Sequence, residues 1–343
     1  MSKSQEAFVA RHIAVVGAGL AGAVLAHELH QAGHRVEVFE KSRGPGGRLS
    51  SKRHESVVAG LDMGAPALQA EEPGWLAQLE QWQQQGWVQP WLPRQGSWLA
   101  GEGVRLIAGQ RQWVGVPSMH TPVKALLADI PVQRGVRIEK LEAHRQHITP
   151  VDAVRSYGQF DFVALAVPAP QAEPLLVHSP SLLEFARQVQ PDPCWVSAIQ
   201  LQQPGLDWPL DWVDLQGHPQ LTRVVRHTAK PGRQQESEVW VLYANRRWSL
   251  EHLQADKAWV AEQMALALAE LVGQSLSWQA LQSHRWLYAR LQAQGSVPAF
   301  FDYQRRIALC ADWLGGTGAQ GAWRSGMACA RSMLAALGRK DGV

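Results

Sequence analysis

The stretch Ile13–Arg48, IAVVGAGLAGAVLAHELHQAGHRVEVFEKSRGPGGR, decides the fold. Ile13–Val16 is a short apolar run of the kind that forms a buried strand. Gly17, Gly19 and Gly22 follow as GxGxxG on the way into a helix. Gly17 permits the tight turn, Gly19 lets backbone approach a pyrophosphate, and Gly22 lets helix pack on strand. The helix start offers free N–H groups and the positive end of a dipole to phosphates. Val36–Phe39 reads as the second strand, closed by Glu40. Glu40 stands about 20 residues after the glycines, where a carboxylate accepts from a ribose hydroxyl. The tail Arg43-Gly44-Pro45-Gly46-Gly47-Arg48 can wrap a second face of the pyrophosphate. GxGxxG alone serves several dinucleotides, so this stretch predicts a dinucleotide-binding βαβ unit and leaves the dinucleotide open.

The chain has 343 residues, enough for about two domains. With 46% apolar residues it can bury a sizeable core, and its net charge of +3 is small for this length. Basic residues are scattered in short pairs such as Arg246–Arg247, which gives no nucleic-acid footprint. Cys194, Cys310 and Cys329 lie far apart without a CxxC, so they read as reduced thiols, and no metal site is expected. Met1–Arg11 lacks the apolar core of a signal peptide, and no run of about 18 apolar residues exists to span a membrane. The expectation is a soluble cytoplasmic protein. Most of the sixteen tryptophans lie between Trp75 and Trp286, which points to a separate aromatic-rich region.

Beyond the opening unit, helices are expected over Glu71–Gln85, Met119–Leu127, Ser181–Val189, Ala255–Val272 and Gly321–Leu337. Val88–Trp113 alternates and is rich in Trp and Gly, which predicts short strands and hairpins. Val136–Leu141 reads as a strand. Asp161–Val167, stopped by Pro168, is a continuous apolar run typical of a buried parallel strand. Ile199–Leu201, Leu221–His227 and Val239–Ala244 predict an antiparallel sheet, and Ile307–Ala311 a last buried strand.

The far end of the chain narrows the cofactor. Ile307–Ala311, Asp312, a glycine-rich turn and Gly321-Ala322 form strand, acid, turn and helix. An acid after a buried strand can accept from a ribityl hydroxyl. The N–H groups at Gly321–Trp323 can face the edge of a flavin, where the helix dipole would favour negative charge. Gly326 would let this last helix pack closely. Together with the opening stretch, these features predict FAD.

At this point the chain resembles the flavin amine-oxidase superfamily, with its glutathione-reductase-type FAD fold, and most of all its renalase-like branch. The matching residues are the GxGxxG with Glu40, Gly46-Gly47-Arg48, Asp62-Met63-Gly64-Ala65, Gly115-Val116-Pro117-Ser118-Met119, Asp161 through Ala172, His284–Ala289, and Asp312 with Gly321-Ala322-Trp323. They span nearly the whole chain. The resemblance implies an α/β fold, a Rossmann-like FAD domain with a second α+β antiparallel-sheet substrate domain. The FAD domain would take residues 1–72, 115–171 and 285–343, and the substrate domain 73–114 and 172–284. It implies non-covalent FAD held by Gly17, Gly19, Leu20, Ala21, Gly22, Glu40, Lys41, Gly47, Arg48, Gly64, Ala65, Val136, Asp312, Gly321, Ala322 and Trp323. Val136 would meet adenine. The implied reaction is oxidation of isomeric dihydro forms of NAD(P), with hydride at the 2 or 6 position, to NAD(P)+. Flavin takes the hydride and molecular oxygen then gives hydrogen peroxide.

Two departures from the wider superfamily bear on substrate. Many amine oxidases carry an aromatic residue just before the final Gly-Ala pair, whereas here the segment is Gly318-Ala319-Gln320. No second GxGxxG exists for a separate NADPH domain. The candidate catalytic residues are His284, Arg285 and Tyr288 in the densest polar and aromatic block outside the FAD signature, with Asn245 as a group able to meet a carboxamide. His120 is a weaker candidate, with a core or helix-cap role favoured. The alternatives are a flavin oxidase of small amines and a FAD-loaded redox-sensing protein without turnover.

Overall fold

The computed structural model describes residues 9–202, 206–233, 235, 237–291 and 297–338. Residues 1–8 and 339–343, at the ends of the expected FAD segments and including most of the stretch read for a signal peptide, lie outside the described residues. Strand His12–Val16 sits inside a six-stranded sheet with the order Ala299–Asp302, Ile307–Cys310, Phe162–Leu165, His12–Val16, Arg35–Glu40, Val132–Arg134. Five of these run parallel, and the edge strand Ala299–Asp302 runs antiparallel to its neighbour. Both faces are covered, which is why the strands read as continuous apolar runs. Ile13 and Val15 pack with helices Leu20–Gln31 and Gly318–Leu337. Ala14 and Val16 pack on the opposite side with Leu175, Leu182 and Ala186. The two helices approach closely because position 326 is glycine. A Cβ there would lie 2.6 Å from the Ala21 carbonyl oxygen.

The second sheet has seven strands in the order Trp278–Leu291, Pro191–Leu201, Val239–Ala244, Leu221–Arg226, Trp212–Gln216, Gln95–Leu99, Gly103–Leu106. It is antiparallel except for the parallel pairing of Trp212–Gln216 with Gln95–Leu99. Its back face, with Trp195, Ile199, Leu242 and Trp240, packs on helices Arg246–Glu251 and Lys257–Val272 through Trp248, Val260 and Met264. Its front face, with Cys194, Val196, Trp212 and Tyr243, turns toward the nucleotide-binding layer.

The fold class expected from sequence is the one observed, with differences in detail. Of the expected strand over 136–141, only Lys140 and Leu141 lie in a strand. Val132–Arg134 joins the sheet, the chain turns at Gly135 with φ +73°, and a separate hairpin begins at Lys140. Residues Ala169–Arg187, partly within the expected substrate segment, pack on the six-stranded sheet. Strand Trp278–Leu291 runs through the expected boundary at 284/285 and stays in the seven-stranded sheet to its end. The last helix starts at Gly318, three residues before the expected Gly321. No helix among the described residues is long and apolar enough to cross a membrane.

Candidate functional site

The carboxyl ends of the parallel strands open into a cleft of about 2590 Å³ that continues to the front face of the seven-stranded sheet. A typical ligand pocket holds roughly 300–1,000 Å³, so there is room for a dinucleotide and a second ligand. Gly17 has φ +109°, and a Cβ there would meet the Ala166 carbonyl oxygen at 2.4 Å. A Cβ at Gly22 would meet the Gly17 carbonyl oxygen at 2.1 Å, so this glycine serves helix packing and does not line the cleft. Gly19 has an ordinary extended backbone, and its Cβ would meet nothing within 4 Å, because it would point into open cleft.

Glu40 is buried and holds this loop by its backbone. Its two carboxylate oxygens accept from the Ala18 N–H at 2.9 Å and the Ser42 N–H at 2.8 Å. Each oxygen keeps a lone pair for a ribose hydroxyl. The second glycine loop closes on the first. The Gly46 N–H donates to the Ala18 carbonyl at 2.8 Å, and a Cβ on Gly47 would lie 3.1 Å from Gly19 Cα. Arg48 pairs with Asp312 at 2.6 Å, joining opposite ends of the chain. Leu20, Ala21, Lys41, Gly64, Ala65, Val136 and Ala322 also line the cleft. Paired glycine loops, a buried acid beside the first and a helix start beside Asp312 are a donor and acceptor set that fits FAD.

Besides Gly22, two more expected cofactor residues lie elsewhere. Gly321 is packed beneath the turn, where a Cβ would strike the Gly316 carbonyl oxygen. The Trp323 ring leans on Trp75 and donates its Nε1 hydrogen to Gln78 Oε1 at 3.3 Å, so it braces helix Pro73–Gln84. Because the helix starts early, the N–H groups free of helical partners belong to Gly318, Ala319 and Gln320. Those three residues border the cleft.

The substrate wall comes from the front face of the seven-stranded sheet. His284, Trp286, Tyr288 and Arg290 stand at alternate positions of one strand and line the cleft with Tyr243, Trp212 and Arg223. His284 meets Trp286 edge-on, with ring centroids 4.4 Å apart, and Trp286 Nε1 donates to the Met63 carbonyl at 2.6 Å. Burial, with Lys52 and Lys257 nearby, pushes the His284 imidazole down to about 4, so it is neutral near pH 7. Two catalytic candidates are engaged by structural partners, although Arg285 also borders the cleft. Asn245 caps helix Arg246–Glu251 by accepting from the Trp248 N–H, and its amide donates to the His218 and Pro219 carbonyls. The Arg285 guanidinium donates to the Leu253 carbonyl and, at 2.9 Å, to Gln254 Oε1.

Twelve lysines and arginines line the cleft against four carboxylates, Glu40, Glu71, Glu139 and Asp312. None of those four stands on the seven-stranded sheet. Cys194, at the sheet face, is buried, and desolvation pushes its thiol up to about 11, so it is no thiolate nucleophile. Among the described residues no cluster has the makings of a metal site.

Sequence reasoning missed a buried charge cluster behind the cleft. Asp62 Oδ2 receives Lys230 Nζ at 3.2 Å and Arg233 Nη2 at 3.0 Å, with His227 Nε2 at 3.5 Å, and all four side chains have no exposure. Burial alone would raise the Asp62 carboxyl, but Lys230, His227 and Arg233 hold it well below the usual carboxylate range. Asp62 Oδ1 accepts from Ser51 Oγ at 2.6 Å, so the cluster ties the nucleotide-binding layer to the second sheet. No sequence motif announces it, because His227, Lys230 and Arg233 lie in one short segment while Asp62 stands far away in the chain.

A pH effect follows from two imidazoles. Burial and nearby cations push His120 as well as His284 from 6.5 to about 4. Between those values the unfolded chain binds protons that the folded chain does not, so stability falls as pH falls through that window. Urea midpoints are expected to drop from pH 7 to pH 5. A midpoint that rises on acidification would contradict the buried neutral state. His120 itself accepts from the Ser51 N–H at 3.1 Å, and its side chain does not cap the helix that follows it.

Against known proteins, a family model described as an NAD(P)-binding Rossmann-like domain matches residues 15–81. A flavin-containing monooxygenase from Arabidopsis thaliana is 45% identical over 63 residues, which is 18% of this chain and 14% of that protein. The matched part is thus a small share of the relative's length. Among solved structures, a provisionally assigned protoporphyrinogen oxidase from Exiguobacterium sp. 255-15 aligns with TM-score 0.76 at 12% identity, over 95% of this chain and 99% of that one. Cyclohexylamine oxidase from Brevibacterium oxydans IH-35A aligns with TM-score 0.72 at 10% identity, over 96% and 100%. The fold is that of the flavin-dependent amine oxidases. At such identities the likeness extends to architecture, including the FAD-binding Rossmann-like domain.

Proposed function

We propose that this protein is a flavin-dependent oxidase of isomeric dihydro-NAD(P), with the hydride at ring position 2 or 6. The observation that carries the reading is the character of the substrate wall: aromatic rings and cations line it, and the one carboxylate beside them, Asp214, does not line the cleft and is engaged by Arg223 and Trp212. Such a wall suits an anionic ligand with a flat ring. The net reaction is dihydro-NAD(P) isomer plus oxygen plus a proton, giving NAD(P)+ and hydrogen peroxide. Bound FAD would accept the hydride and hand both electrons to oxygen.

The chain's own residues have a limited task in that scheme. Loss of hydride makes the pyridine ring aromatic, so no proton has to leave carbon and no nucleophile is needed. Positioning dominates the rate. Trp286, fixed by its bond to the Met63 carbonyl, offers a flat surface, and His284 beside it stays neutral.

Oxidation of a small amine is the second reading, favoured by the fold shared with cyclohexylamine oxidase. An ammonium ion entering this cleft would meet like charge. The test is oxygen uptake with peroxide release. The 2- and 6-dihydro isomers should be turned over with kcat/KM at least about 100-fold above ordinary NADH or cyclohexylamine. Faster turnover of the amine would replace the first reading with the second, and no turnover of any would favour a FAD-loaded sensor.

A further inference from the structure

Several cations around the cleft already face a carboxylate or a carbonyl. Arg48 meets Asp312 at 2.6 Å, Arg223 meets Asp214 at 2.6 Å, and Arg233 meets Asp62 at 3.0 Å. The Arg285 guanidinium is bound to the loop at Leu253–Gln254. Lys52 is different. It stands on strand Ser51–His54, opposite Leu61 in a hairpin, and lines the cleft. Its Nζ lies 5.8 Å from the centroid of the Trp286 ring. The Trp286 ring in turn lies edge-on to His284, with centroids 4.4 Å apart, and the same ammonium helps to keep that imidazole neutral. Burial pushes its own titration down, and no carboxylate opposes that shift. Among the described residues no acid pairs with it.

A half-buried ammonium without an anion is held at a cost, because burial disfavours the charged form. Attraction to the face of an indole ring offsets only part of that cost. A ligand's anionic oxygen would complete the pair with a charge-assisted hydrogen bond. We propose that Lys52 is the anion-recognising residue of the substrate wall, set over Trp286 to take a phosphate or carboxylate oxygen of a ligand whose ring lies against the Trp286–His284 pair. It thereby selects anionic ligands and turns ammonium ions away. This rests on the reading of the cleft as a FAD site, and not on the identity of the oxidised substrate.

The test uses the FAD-loaded protein and four probes of one shape: benzoate, phenyl phosphate, neutral benzamide and benzylamine. Binding is followed by the change in the flavin absorption spectrum, with no turnover. Benzoate or phenyl phosphate should bind about tenfold or more tightly than benzamide, with benzylamine weakest. The two anions separate a carboxylate site from a phosphate site. Lys52→Gln should erase the preference and Lys52→Arg should keep it, each variant first checked for normal FAD content. Added salt should weaken the anions alone. An anion preference that survives Lys52→Gln, a wild-type protein that prefers benzylamine, or no binding by any probe would overturn the proposal. Failure of dihydro-NAD(P) isomers to react would remove the proposed activity and leave this result standing.

Discussion

Gly19→Val is expected to give a folded, soluble protein that purifies without yellow cofactor. Position 19 has φ −79° and ψ −177°, a backbone that valine adopts readily, and its Cβ would touch nothing in the protein. The only thing a larger side chain can displace there is the ligand. The position caps the helix Leu20–Gln31, beside the N–H groups that would face a pyrophosphate. FAD affinity should fall by at least about 100-fold, or about 2.7 kcal/mol. The control is Gly22→Ala, whose Cβ would lie 2.1 Å from the Gly17 carbonyl oxygen. That variant should lose stability as well as cofactor. Absorbance spectra and circular dichroism separate the two cases. A Gly19→Val protein with normal FAD content would refute the placement of the pyrophosphate.

The second large effect lies behind the site. Asp62→Asn removes the carboxylate that faces Lys230 and Arg233 in a region with no solvent access. Breaking a buried pair by removing one partner costs about 3–5 kcal/mol, because the remaining charge is left uncompensated. Burial already brings the Lys230 ammonium down to about 8 against the pull of Asp62, so the variant should shed that proton at lower pH. Urea denaturation should place the loss in that range. Adding Lys230→Met should recover part of it, since one of the two cations that faced Asp62 is then gone. A loss below about 1 kcal/mol would put the pair in the class of weak surface bridges. The cluster would then not be the tie between the two layers.

What the sequence made legible depended on how local the chemistry is. In Ile13–Arg48 the strand, the glycines, the helix and Glu40 lie within one βαβ unit, and each takes its expected place. Asp312 does follow a buried strand as expected, but its pairing with Arg48 was not read from sequence. The structural partners of Asn245 and Arg285 were not legible because they come from other segments: His218 and Pro219 for one, Leu253 and Gln254 for the other. Trp323 stood next to a correct motif but on the wrong face of its helix. The Gly321 helix start was set too late because Gly318 reads as turn, yet it begins the helix. Lys52 carried no signal at all. Its meaning appears only when a hairpin near the start of the chain meets a strand more than 200 residues later, at Trp286.

The seven-stranded sheet shows the same division. Leu221–His227 and Val239–Ala244 were readable as strands, and Gln95–Leu99 and Gly103–Leu106 fall in the alternating stretch. Trp212–Gln216, Trp278–Leu291 and most of Pro191–Leu201 were not, nor was the order that brings His284, Val196, Tyr243 and Arg223 into one row across four strands. That row sets the character of the substrate wall. Residue alternation predicts which side chains share a face, whereas strand order depends on long-range pairing.

The most direct test of the central claim is anaerobic mixing of the FAD-loaded protein with each candidate substrate, following the visible flavin absorption. The 2- or 6-dihydro isomer of NAD(P) should bleach the flavin in a single fast phase, and one equivalent should suffice. Ordinary NADH and cyclohexylamine should leave it yellow on that timescale. Rapid bleaching by the amine, with none by either isomer, would contradict the account.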